Sequence, residues 1–287
     1  MIRILVTPVA TNTVRDFLRG RGRKLRRTLR FATYDDATAR RPGSHTYVFA
    51  DLERLDDDAR TRAARFYASL DPARRRTDPA SALMRPDLLP RLHADGINRF
   101  TVSRVGTAPT RWPVFLRGSD DHEGNASPLL PDAQALADAV AKLARPEAML
   151  QVEYVETLGT DGLYRKYGAF RIGDRIVPRH VFFGPTWMLK EADHVDDATI
   201  EEELAYVRTN PHAEQLLDVF DRAGIEYGRI DYGFAGDALQ VWEINTNPMI
   251  MSNRSFTHAP RGVVHEAVLP QLEEAFRDLA PRRSWFA

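Results

Sequence analysis

The sequence predicts an α+β protein in which two sheet-containing lobes follow a reduced N-terminal α/β unit. Three patterns carry that reading: a strand, loop, helix, strand unit over residues 113–155; two antiparallel hairpins, 163–183 and 227–245; and amphipathic helices between and after them. With 287 residues the chain is long enough for one large domain or two smaller ones, each with its own core.

In chain order, the first strands are expected at residues 2–6 and 46–50, and a helix over 57–70 follows the second. The basic run LRGRGRKLRR, Leu18 to Arg27, reads as a solvated turn, with phosphate contact as the alternative. In TDPASALMRPDLLPRLHADGI, Leu88, Leu89 and Leu92 share a helical face and Gly96 stops the helix, which makes this segment a connector. Residues 113–117 form a strand, a loop rich in Gly, Ser, Asp and Asn follows, and Asp132 starts a helix with Leu136, Val140 and Leu143 on one stripe. A strand at 149–155 closes that unit.

The next hairpin pairs 163–172 with 175–183 about Gly173 and Asp174, residues that tight hairpin turns favour. Helices are expected at 201–208 and 211–223, the second stopped by Gly224. After the 227–245 hairpin comes a last helix over 263–279, with Val264, Val268, Leu272, Ala275 and Phe276 facing inward. No internal repeat or low-complexity tract interrupts the pattern. The division that follows is an N-terminal unit at 1–77 and a larger part at 78–287, itself split into lobes at about 100–158 and 159–287.

Composition narrows the function classes. Forty basic and forty acidic side chains cancel, so whole-molecule charge argues for neither nucleic-acid binding nor attraction to a membrane surface. The absence of cysteine excludes disulfides, thiolate zinc sites and a cysteine nucleophile. No apolar run reaches the length of a membrane span, and the opening MIRILVTPVATNT is too interrupted for a signal peptide, so a cytoplasmic location is expected. Only four of the basic residues are lysines, Lys24, Lys142, Lys166 and Lys190, which singles each of them out.

The stretch YGRIDYGFAGDALQVWEINTNP places Asp231, Glu243 and Asn245 inside an otherwise core-like hairpin. Residues two apart in a strand share a face, so Glu243 and Asn245 point one way and Trp242 and Ile244 point to the core. An odd-length loop centred on Asp237 would set Asp231 opposite Glu243. Two carboxylates and an amide oxygen on one face repel unless a cation sits between them, and hard oxygen ligands in that number suit Mg²⁺ with phosphate oxygens completing its shell. The alternative is a polar, solvent-facing sheet edge.

Asp231 followed by EINTNP is similar to the metal-binding signature of the ATP-grasp superfamily, and the likeness extends over roughly residues 78–276 in the order of elements. It is closer to the ribosomal-protein glutamate ligase and glutathione synthetase branch than to the D-alanine ligase branch. The resemblance implies an ATP-grasp fold whose two lobes clamp ATP, with Asp231, Glu243 and Asn245 holding magnesium on the nucleotide.

The cations for the phosphates come next. Arg117 lies on an otherwise apolar strand at a position where the family usually has lysine; a strand-end arginine in solvent is the alternative reading. In the 163–183 hairpin, pairing about Gly173 and Asp174 puts Lys166 and Arg179 on one face with Gly168 opposite Arg179, and two cations on one face call for an anion. They are candidates for triphosphate contacts or for stabilising the transferred phosphoryl group, against the alternative of a charged solvent face. The segment MLQVEYVET resembles the family's hinge strand, which implies adenine pairing with the backbone of Glu153, Tyr154 and Val155 and ribose hydroxyls held by Asp161 or Glu156.

RGSDDHEGNASPLL lies where the family has a small-residue loop over the phosphates; Gly118, Ser119, Gly124 and Ser127 fit it, whereas the acidic Asp120, Asp121, His122 and Glu123 suit an amine substrate or a solvated tip. Lys190 is a further candidate for a substrate carboxylate or an acyl phosphate. The resemblance implies an ATP-dependent, ADP-forming ligase that activates a carboxylate as an acyl phosphate and joins it to an amine or thiol. Phosphorylation of a non-carboxylate acceptor and a catalytically silent nucleotide-binding module remain open. The carboxylate and amine substrates, small molecules or peptides, are not specified; Arg254 and the Arg19 to Arg27 run hint at an anionic one. Oligomeric state is likewise open.

Overall fold

The computed structural model describes residues 1–39, 41–119, 127–251 and 259–280. The Asp120 to Glu123 cluster, Gly124 and Arg254 therefore lie outside the described residues.

The N-terminal unit is built on β1 (Ile2–Val6), an apolar strand with four of five residues buried. Helix α1 (Asn12–Arg19) buries Val14, Phe17 and Leu18 beside it. β2 (Leu29–Thr33), α2 (Tyr34–Thr38), β3 (Thr46–Phe49), α3 (Asp57–Ser69) and the short β4 (Arg75–Arg76) complete a four-stranded parallel sheet of order β2-β1-β3-β4. The sequence predicts β1, β3 and α3; it does not reveal β2. That strand, LRFAT, lies at the sheet edge with only Leu29 buried, so it lacks the apolar run that marks a covered parallel strand.

The connector is α4 (Arg85–Ala94), with Leu88, Leu89 and Leu92 buried and Gly96 beyond its end at φ +77°, a left-handed turn that glycine adopts without strain. A three-stranded antiparallel sheet follows, β5 (Val102–Arg104), β6 (Val114–Gly118) and β7 (Met149–Glu153), in the order β5-β7-β6. Helix α5 (Ala133–Val140), capped by Asp132 accepting from the Ala135 N–H, lays Leu136 and Val140 against Val114 and Leu116.

The third sheet holds both hairpins: β8 (Tyr164–Ile172) with β9 (Arg175–Gly184), and β10 (Tyr227–Ala235) with β11 (Ala238–Asn245), in the antiparallel order β11-β10-β8-β9. Between them come α6 (Asp197–Thr209) and α7 (Ala213–Ala223). α6 starts four residues before its predicted start because Asp196 and Thr199 cap each other's backbone N–H groups. Helix α8 (Gly262–Leu279) packs on β9 and α6 with Val264, Val268, Leu272, Ala275 and Phe276 buried, as its pattern predicts. Among the described residues no helix is long and apolar enough to cross a membrane.

The N-terminal unit is tied to the end of β11. The Leu52 N–H donates to Thr246 Oγ1 at 2.9 Å, the Thr246 N–H to Glu53 at 3.2 Å, Thr13 to Asn247 Oδ1 at 2.7 Å, and Asn247 Nδ2 to the Ala10 carbonyl at 3.1 Å. The TNP that ends the strand is thus an anchor for the first sheet rather than a free loop, and both polar side chains are buried and satisfied.

Candidate active site

β10 and β11 are joined by a two-residue turn, Gly236 and Asp237, between paired Ala235 and Ala238. Regular pairing from that turn would set Asp231 against Trp242. Instead Tyr232 pairs with Val241 and Asp231 with Glu243, because Trp242 is the extra residue of a β-bulge. The facing carboxylates expected from an odd-length loop therefore come from an even turn plus a bulge. The same bulge corrects the side of Trp242: it lies over Gly233, where an added Cβ would meet the indole at 2.5 Å, and lines a cavity beside Glu243.

That cavity, about 290 Å³, sits between the second and third sheets. Its floor carries Lys166 of β8, Arg229 and Asp231 of β10, and Glu243 and Asn245 of β11. Its walls are Phe115, Arg117 and Val152 of the second sheet and Trp187, Leu189 and Lys190 of the segment after β9. Trp187 meets Phe115 at 5.0 Å and Tyr154 edge-on at 5.5 Å between ring centroids, so the end nearest the second sheet is aromatic and the end over the hairpin is charged. An apolar slot that opens onto convergent charges suits a ligand with a flat ring at one end and anionic groups at the other. Two of the four lysines, Lys166 and Lys190, line it, whereas Lys24 and Lys142 are exposed elsewhere.

Asp231 and Glu243 are held by cations. Arg229 Nε lies 2.8 Å and Lys166 Nζ 3.5 Å from the Asp231 carboxylate, while Glu243 accepts from Arg117 Nη2 at 2.6 Å and from Arg85 Nη2. Arg85 Nη1 also donates to the Gly118 carbonyl at 3.1 Å, fixing the end of β6 to the hairpin. Burial is the largest single influence and would lower the Arg229 pKa, but the Asp231 charge, the hydrogen bond to Asp231 and the Glu243 charge together hold the guanidinium above its ordinary value. Arg117 and Lys166 do face one cleft, but with carboxylate partners, contrary to the free cations that an empty phosphate site suggests. The partners are the candidate metal ligands themselves.

Two carboxylates and one amide oxygen on one sheet face form a donor set that fits Mg²⁺, which takes few protein oxygens and completes its shell with phosphate and water. Asn245 Oδ1 already accepts from the Asn247 N–H at 2.8 Å, which orients the amide and leaves a lone pair. Among the described residues there is no cluster of three or more His, Cys, Asp or Glu, so an all-protein cage is not built here.

At the hinge, the Glu153 N–H donates to Thr101 and the Tyr154 N–H to Pro113, whereas the Val155 N–H and carbonyl have no backbone partner among the described residues. The Glu153 side chain is occupied too: it accepts from the Thr110 N–H at 2.9 Å, Thr110 Oγ1 at 2.6 Å and the Arg111 N–H at 3.1 Å, holding the loop before β6. Of the three hinge residues, Val155 offers the open backbone edge.

Three expectations are corrected. Asp161 is outside the cavity wall, and Arg165 binds its carboxylate at 2.7 Å; that hydrogen bond is the main reason its pKa drops to about 2. Glu156 accepts from the Thr157 and Leu158 N–H groups, both at 2.9 Å, and is not on the wall either. Gly168 pairs with His180, not Arg179, because β9 carries its own bulge: Gly168 faces His180 and Ala169 faces Pro178, with Arg179 the extra residue. Arg179 is buried and absent from the cavity wall. Among the small residues after β6, the Ser119 N–H bonds Ala148 and Ser127 Oγ accepts from the Leu116 N–H at 2.8 Å, so both are engaged in closing the sheet.

The glycine has a measurable role. A Cβ at Gly168 would stand 2.5 Å from the His180 ring, which is stacked on Phe182 at 4.0 Å and has nowhere to retreat. Gly168→Ala is expected to lower stability by about 1–3 kcal/mol. Urea unfolding checks this, and an unchanged midpoint would show that the ring can move.

Sequence reasoning missed Arg229, Arg85 and Trp187. Arg229 was legible: it stands two residues before Asp231, on the same strand face. Arg85 was not, because its partner Glu243 is 158 residues away.

Neither a protein-family model nor the sequence of a curated protein matches the chain. Solved structures do. A D-alanine–D-alanine ligase from Bacillus anthracis complexed with ATP superposes with a TM-score of 0.53 at 10% identity, over 97% of this chain and 98% of that one. D-cycloserine synthetase DcsG gives 0.50 at 16% identity, over 95% and 100% of the two chains. A RimK domain ATP-grasp protein from Sphaerobacter thermophilus gives 0.50 at 16%, over 93% and 99%. The D-alanine ligase is as similar in fold as the RimK-like protein, so the fold does not place the chain in one branch.

Proposed function

We propose, from the premise that the chain has the ATP-grasp fold, that it is an ATP-dependent, ADP-forming ligase joining a carboxylate to an amine or thiol through an acyl phosphate. The observation that carries this reading is the in-register pair Asp231 and Glu243, facing one cavity with Asn245 and ringed by Lys166, Arg117, Arg85 and Arg229. That is a phosphoryl-transfer constellation, in which positioning and charge neutralisation do the catalysis. The ligases it resembles in fold include one complexed with ATP, which supports ATP as the nucleotide here.

In this reading residues 1–77 form the N-terminal unit and residues 78–287 the nucleotide-clamping part. Adenine lies in the aromatic end against Trp187 with its edge on the Val155 backbone. Asp231, Glu243 and Asn245 would hold magnesium, which when bound spreads the charge of the phosphate oxygens. Lys166 and Arg117 turn from the carboxylates to the phosphates. Arg229 then faces the acid. The substrate carboxylate oxygen attacks the γ-phosphorus and ADP leaves; the amine next attacks the acyl carbon and phosphate leaves.

Hydroxylamine tests the order of events. With a carboxylate that drives ADP release, hydroxamate is expected in step with ADP. ADP release without hydroxamate, together with a stable phosphate ester in the product, would replace the ligase by a phosphotransferase.

A further inference from the structure

The bulge in β9 presents Arg179 and His180 together opposite Gly168, and Gly168 in turn pairs with Asp231. The doubled position therefore stands two strands from the candidate metal carboxylate, roughly 10 Å along the sheet by the spacing of strands. Arg179 is 8% exposed, forms no hydrogen bond or ion pair among the described residues, and its Nη1 is a buried donor without an acceptor. His180 is 4% exposed and its Nε2 has no hydrogen-bond partner among the described residues.

The surroundings make this a cationic cluster. Burial is the main cause that lowers the Arg179 pKa to about 10, and Arg229, Arg261 and Arg21 push in the same direction; among the described residues Glu203 opposes them. Glu203 is already spoken for: it accepts from Arg261 at 2.6 and 2.9 Å and from the Val181 N–H at 3.2 Å. The Phe182 ring gathers the group, with His180 stacked at 4.0 Å, Arg261 at 5.0 Å and Lys166 at 5.6 Å. Burial first, and then the neighbouring cations, push the His180 pKa well below its ordinary value. A buried guanidinium without a counter-charge is costly, and a protein keeps one where an anion arrives.

We infer that this cluster binds a second anionic group of the acid substrate, so that the acceptor acid is a dianion whose reacting carboxylate lies at Arg229 and whose far group lies at Arg179. The inference rests on the ligase reading above and names its substrate class. With Asp231 engaged in the metal set it would help hold, Arg229 would be left to meet the reacting carboxylate, and Arg179, without a side-chain partner among the described residues, would meet the far one. Ligands with only one negative charge leave the buried guanidinium as it stands.

The test uses the full chain loaded with Mg²⁺ and a non-hydrolysable ATP analogue, titrated with succinate, glutarate and adipate against butyrate, valerate and hexanoate. At one chain length the dicarboxylate is expected to bind at least tenfold more tightly than its monocarboxylate counterpart. A phosphonopropionate arm reads whether carboxylate or phosphonate is the better far group; either one exceeding the monoacids supports the site. Arg179→Met is expected to bring the dianions to within twofold of the monoanions and to leave analogue affinity within twofold. The melting temperature of the ligand-free R179M protein should stay equal or rise, an outcome that a merely structural arginine would reverse. Should R179M fail to fold, the acid series on the unaltered protein still decides. Equal binding of mono- and dicarboxylates at every length, or a dianion preference that survives R179M, overturns the inference. Failure of the analogue to bind counts against the ligase reading, whereas analogue binding without a dianion preference counts against this inference alone.

Discussion

Glu243→Gln is expected to lower kcat by about 10²–10³ at saturating ATP and magnesium, the scale of losing one charge-stabilising group from a preorganised site. Nucleotide affinity measured without magnesium should change by less than about threefold, because the adenine end of the cavity, at Val155 and Trp187, is built without Glu243. The carboxylate is the point at which Arg85 of α4 and Arg117 of β6 both meet β11, so the variant leaves two guanidinium groups sharing a neutral amide. Circular dichroism and a melting curve separate that structural cost from the chemical one. Steady-state kinetics with an unchanged kcat would remove Glu243 from the mechanism.

Magnesium without nucleotide is expected to bind weakly, with no saturation below about 10 mM, and to gain about 100-fold when an ATP analogue is present, at the upper end of ordinary coupling between two ligands. The reason is a charge tally among the described residues. Asp231 and Glu243 contribute two negative charges, and Lys166, Arg229, Arg85 and Arg117 answer with four positive ones. The ligand-free site is thus an anion site in which the metal ligands are already paired. A triphosphate relieves the cations, and the carboxylates are freed for the metal. By linkage, magnesium must strengthen nucleotide binding by the same factor. Titration calorimetry in both orders checks the reciprocity, and tight magnesium binding to the nucleotide-free protein would contradict it.

Much of this molecule was readable without coordinates. Helix α8 shows its apolar stripe, the Gly173 and Asp174 turn fixes the first hairpin, and Asp132 announces α5, because each depends on neighbours a few residues away. Asp231, Glu243 and Asn245 stood out for a related reason: polar side chains in core-like strands conflict with local pattern, and such conflicts gather at functional sites. The scarcity of lysine marked Lys166 and Lys190, both of which line the cavity.

Other features had no local signal. β2 is an edge strand whose exposed residues carry no alternation, and Asp161 reads as a ribose ligand until Arg165 is seen to hold it. The faces of Trp242 and Arg179 turn on bulges, which move a register by one residue and which no hydrophobic count reveals.

What the sequence determined by itself was the two hairpins, the helices between and after them, and the placing of Asp231, Glu243 and Asn245 within core-like strands, since periodicity and turn chemistry are local properties. Only the tertiary structure decided which charges meet: that Arg85 reaches Glu243 across 158 residues, that Arg229 and Lys166 share Asp231, and that the buried Arg179 Nη1 has no acceptor among the described residues. Charge pairing depends on distance and burial, and these are set by how separate sheets dock rather than by spacing along the chain.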